Sequence, residues 1–118
     1  MREPVRDPIR LQHILDAISK IKEYTEGQDR SSFESDTMRV HATAYNIQII
    51  GKAVYKLSNE FKSEHPEPPW RLIEKMRHIL VHDYFAVDLD FVWSVVVQDL
   101  PVLEQQTSMY LKELNNRQ

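Results

Sequence analysis

The chain has no cysteine, so a disulfide framework and a thiolate zinc site are both excluded, and a reducing, cytoplasmic setting is expected. Its two glycines are too few for a β-sandwich or barrel, which needs a turn every ~8–12 residues. It lacks long apolar runs, which removes any membrane-spanning helix. The three arginines between Met1 and Arg10 have no apolar stretch behind them, so no secretory signal is expected. It also lacks a basic balance. A net charge of −3 argues against a protein that coats nucleic acid, and any RNA contact must be local.

What remains is an ordinary globular composition of 118 residues, 42% hydrophobic and 28% charged, enough for one domain over residues 1–118 with its own core. The charge is unevenly placed. Asp83 to Glu104 holds five acids and no Lys or Arg. The thirteen residues before it, Trp70 to His82, hold Arg71, Lys75 and Arg77 against Glu74 alone. A solvated helix face accounts for this as well as a cationic cleft beside a surface for a basic protein partner does.

The pattern predicts an all-α antiparallel bundle of four to five helices. Asp7 and Pro8 suit an N-cap and first helical position, and Ile14, Ile18 and Ile21 carry the first apolar stripe to Gly27. Gln28 to Ser35 reads as a connection anchored by Phe33. Asp36 caps a second helix of roughly 25 residues, through Val40, Ala44, Ile47, Gly51, Val54, Ser58 and Phe61. Gly51 in its middle costs about 1 kcal/mol against Ala, which is reasonable if another helix comes close there. His65-Pro66-Glu67-Pro68-Pro69 stops it. Trp70, Ile73, Met76 and Leu80 form a third stripe, and Tyr84 to Val87 a short connection. Asp88 caps a fourth helix with Val92, Val95, Val96 and the anchor Trp93. Asp99-Leu100-Pro101 either kinks it or starts a fifth, through Leu103 and Leu111 to Leu114. Val95-Val96-Val97 has strand propensity but no partner strand, so it is assigned to helix.

One stretch carries chemistry: Arg77-His78-Ile79-Leu80-Val81-His82-Asp83-Tyr84. Arg77 is a permanent cation for a phosphate, and His82 titrates near neutrality. On an ideal α-helix five residues place them about 140° apart. Either the helix is ending at His82, or a second copy completes the site across a two-fold axis. Each residue also has a plain alternative: an Arg paired with a carboxylate, and a helix C-terminal His meeting free carbonyls. His78 and His82 have the i, i+4 spacing of metal ligands, but no third ligand follows, so neither metal nor cofactor is expected.

Arg77, His82 and Tyr84 resemble the R-x4-H-x-Y motif of the HEPN superfamily, in its HepT-like branch. The likeness extends over roughly residues 7 to 115, through Tyr45 to Val54 with Gly51, His65-Pro66 to Pro69-Trp70, Phe85 to Asp88, and Asp99-Leu100-Pro101. Lys52 and Lys75 depart from it, standing where the family often has an acid and a glycine, and both add positive charge. The resemblance implies the toxin of a type VII-like toxin–antitoxin system: a metal-independent endoribonuclease acting on tRNA or mRNA, homodimeric, with a composite cleft. Arg77 and His82 would be its catalytic pair and His78 a supporting polar residue. A small nucleotidyltransferase antitoxin would silence it by AMP transfer to Tyr84. The rival reading is a non-catalytic helical partner, or antitoxin, of a nucleotidyltransferase.

Overall fold

In the computed structural model, which describes residues 6–78 and 88–117, every regular element is helical. Three long helices make the frame: α1 (Asp7–Thr25), α3 (Thr37–Lys56) and α7 (Leu100–Asn116). Shorter ones connect them: α2 (Arg30–Ser35), α4 (Asn59–Glu64), α5 (Trp70–Glu74) and α6 (Leu89–Ser94). The chain is an all-α helical bundle, as its composition and periodicity predict, and no described helix is long and apolar enough to cross a membrane.

The core is the meeting of three apolar stripes. Leu11, Ile14, Ile18 and Ile21 of α1 face Val40, Ala44, Ile47, Ile50 and Val54 of α3, and Leu100, Leu103 and Tyr110 of α7 close over them. Spacings of three and four put each set on one side of its helix, so burial follows from the pattern.

Four local readings are corrected. Asp7 does not cap α1, since it is already the first helical residue and is buried. Its carboxylate instead accepts from the Ser58 backbone N–H at 2.8 Å and the Ser58 Oγ–H at 2.7 Å, 51 residues away. That bond explains the second correction: the expected 25-residue helix breaks at Leu57-Ser58, where Ser58 caps α4 by accepting from the Phe61 N–H. The third concerns Gln28 to Ser35. It is not plain connection, because Asp29 and Ser32 form a reciprocal capping box that starts α2. Phe33 is the anchor expected, fully buried with its ring 5.3 Å from that of Trp93.

The fourth concerns the third helix, which tightens after Glu74 into a 3₁₀ turn over Lys75–His78. Asp36 and Asp88 do cap their helices, by accepting from the Arg39 and Phe91 N–H groups. The backbone from Leu89 to Asn116 stays helical, widened to a π-turn over Val95–Asp99. Leu100 N–H reaches Val95 O, five residues back, which relieves the crowding Pro101 would impose on a regular α-helix.

Candidate functional site

The described part of the motif, Arg77 and His78, ends the 3₁₀ turn Lys75–His78, whose position is fixed from both ends. At its start, Trp70, Ile73 and Met76 are buried, and the Trp70 indole N–H donates to His65 O at 2.7 Å. On α4, Lys62 donates to Val54 O and lies 3.7 Å from the Glu74 carboxylate. At its far end the turn lies directly on α3. A Cβ added to Gly51 would sit 2.4 Å from the Arg77 backbone N and 3.0 Å from Ile73 O and Met76 C. These are backbone atoms that cannot rotate away, so only glycine permits this approach. The close packing expected at Gly51 therefore serves Arg77 itself.

Arg77 is half-buried and sits with its guanidinium carbon 4.0 Å from the centre of the Tyr55 ring. Nη1 also donates to Glu74 O at 3.3 Å. Among the described residues no carboxylate pairs with it, and its partners there are a ring and a carbonyl. A cation stacked this way keeps most of its donors available to an incoming anion. Tyr55 was not singled out from sequence because it lies outside the apolar stripe of α3. Its place one turn after Gly51 was the available signal, since a residue four positions on lies beside whatever approaches that glycine.

His78 points elsewhere. It lines a groove of about 600 Å³ between α5 and the α6–α7 rod, together with Leu72, Met76, Phe91, Leu100 and Leu103. The walls are mainly apolar and Arg77 is not among them, so this groove is a poor phosphate site. Over Lys75–His78 the 3₁₀ turn advances about 120° per residue, not the 100° of an α-helix. His82 and Tyr84 lie outside the described residues, as does Leu80 of the third stripe. Among the described residues, no three His, Asp or Glu side chains are grouped to hold a metal ion.

The family model described as "Ribonuclease HepT-like" matches residues 14–109. A "Probable ribonuclease HepT" of Thermococcus cleftensis is 38% identical over 94 residues, 80% of this chain and 86% of that protein. A "Putative RNase" of Caldanaerobacter subterraneus is 33% identical over 103 residues, 87% of this chain and 92% of its own length. The chain is also 36% identical, over 98% of its length, to a "Gamma-glutamylcyclotransferase and putative RNase" of Methanocaldococcus jannaschii, and spans about half (51%) of that relative. No solved structure matches.

Proposed function

Because the chain belongs to the ribonuclease HepT-like family, we propose that it is a ribonuclease whose cleavage is metal-independent, and that it serves as the toxin of a toxin–antitoxin pair. The observation that carries this reading is Arg77, stacked on Tyr55 with no carboxylate partner among the described residues. A half-buried arginine held on a ring at a conformationally fixed turn suits the binding of a phosphodiester.

In this reading the RNA supplies its own nucleophile. A histidine takes the proton of a 2′-hydroxyl, the 2′-oxygen bonds to the adjacent phosphorus, and the bond from phosphorus to the 5′-oxygen breaks. A second proton donor protonates that leaving oxygen, giving a 2′,3′-cyclic phosphate and a 5′-hydroxyl. His82 is the proton-transfer group, a role worth ~10² to 10⁴-fold. Arg77 meets the charge that builds on the phosphoryl oxygens. In a homodimer with a composite cleft, the two copies of His82 divide the base and acid roles, and His78, which faces the apolar groove away from Arg77, takes no part in the step. Tyr84 is the switch. A nucleotidyltransferase partner transfers AMP to its phenol with loss of pyrophosphate, placing an anion where RNA must bind.

The test is expression of wild type against Arg77→Ala and His82→Ala, following growth and the integrity of tRNA and mRNA. Arg77→Ala is expected to lower cleavage by roughly 10²-fold or more and His82→Ala by a similar factor, with folding retained. Undiminished toxicity in both variants would instead make the chain a binding partner of the nucleotidyltransferase. Mass spectrometry of the Tyr84 peptide after incubation with that partner and ATP checks the switch, with an added mass of roughly 329 Da for one AMP.

A further inference from the structure

The outward side of α3 differs from the rest of the surface. Over Thr37–Lys56 the helix carries Arg39, Lys52 and Lys56 and no carboxylate, in a chain where acids outnumber Lys and Arg 18 to 15. Arg39 is engaged with Asp36 and with Tyr24 O. Lys52 is exposed and pairs with no acid among the described residues. Two large rings flank it in the open: Tyr45 is 57% exposed and Tyr55 55%. At about 100° per residue, Tyr45, Lys52 and Tyr55 fall within an arc of roughly 80°, and the two rings are about 15 Å apart along the axis. The second ring carries the Arg77 guanidinium.

We infer that this face of α3 is the track along which single-stranded RNA reaches Arg77. A base stacks on the exposed Tyr45 ring, Lys52 contacts the phosphate chain beyond it, and Tyr55 ends the track by presenting Arg77. Rings alternating with unpaired cations are how proteins hold a flexible strand without reading its sequence. The absence of any acid along twenty residues is what a polyphosphate needs and an ordinary solvated helix face does not. A second copy fits this face less well, because a two-fold axis along it would bring Lys52 towards its own mate.

The inference rests on the ribonuclease reading, and two measurements separate them. Cleavage of a short single-stranded RNA gives kcat and KM, and fluorescence anisotropy with its 2′-O-methyl counterpart gives binding alone. Tyr45→Ala and Lys52→Glu are expected to bind about tenfold more weakly and to raise KM by a similar factor, with kcat little changed. Tyr45→Phe keeps the ring and should bind as wild type does, and Lys20→Glu on the exposed side of α1 should change nothing. Wild-type cleavage with unaltered KM in both Tyr45→Ala and Lys52→Glu would overturn the track and leave the ribonuclease standing. A wild type that neither binds nor cleaves RNA would remove both. Light scattering supplies the remaining outcome: if Tyr45→Ala converts a dimer to monomer, the face is a subunit interface and not an RNA track.

Discussion

Arg77 depends on a residue with no chemistry of its own. The Tyr55 ring fixes where the guanidinium lies, and the 4.0 Å stack substitutes for the carboxylate that would otherwise hold it. Such a contact is worth only about 0.5–1 kcal/mol at an exposed site, so stability should barely register its loss. Activity should. Tyr55→Leu is expected to lower kcat/KM for RNA by about tenfold with little change in Tm, and Tyr55→Phe, which keeps the ring, should restore it. Equal activity of the Leu and wild-type proteins would show that the stack does not position Arg77. At this scale the sequence was a poor guide to the support of Arg77, because Tyr55 lies outside the apolar stripe of α3. Asp7 failed as a helix cap for a related reason. A carboxylate near a helix start can serve its own helix or another, and Ser58, 51 residues away, is what it binds.

Elements were legible where an apolar stripe ran long enough to declare a period. α1, α3 and α7 could be read for that reason, whereas the six residues of α2 are too few and only the Asp29–Ser32 box marks them. The 3₁₀ turn at Lys75–His78 was not visible either, since i, i+3 and i, i+4 contacts share the same apolar letters. Gly51 links elements and was read correctly as a point of close approach. It also gives two principles that disagree in sign. Helix propensity alone says that Gly51→Ala stabilises by about 1 kcal/mol. The new Cβ would lie 2.4 Å from the Arg77 backbone N, with Ile73 O and Met76 C at 3.0 Å, and none of these can swing aside. Overpacking of this kind costs roughly 1–3 kcal/mol, so the net effect should be destabilising. The turn must also shift away from α3 and carry Arg77 off the Tyr55 ring. Urea denaturation should therefore show a lower midpoint, and activity should fall by more than the loss of folded protein explains. A more stable, fully active Gly51→Ala would mean the turn can move freely.

For the molecule as a whole, α5, which leads into the Lys75–His78 turn, starts in an aromatic platform built from three separate helices and a loop. Phe61 of α4, Trp70 of α5 and Tyr110 of α7 pack around His65, whose ring stacks on Phe61 at 4.2 Å and lies 4.4 Å from Tyr110. Nδ1 of His65 is 2.9 Å from Phe61 O, and Nε2 faces the Glu113 carboxylate at 3.4 Å. Tyr110 closes the set, its hydroxyl donating to Glu67 at 3.2 Å. Burial, then the hydrogen bond and charge of Glu67, and then the charge of Glu113 push the Tyr110 phenol up to about 12. An unfolded tyrosine ionises near pH 10. Between those values the unfolded chain has lost a proton that the folded chain still holds, so stability present in full below about pH 10 is lost as pH rises toward 12. Urea unfolding followed across that window should show wild type losing stability more steeply than Tyr110→Phe, which has no proton to release. The phenolate absorbance of the native protein should rise late for one tyrosine and match wild type minus one late group in the variant. If wild type and Tyr110→Phe decline in parallel, the phenol is not the group through which alkali loosens the platform.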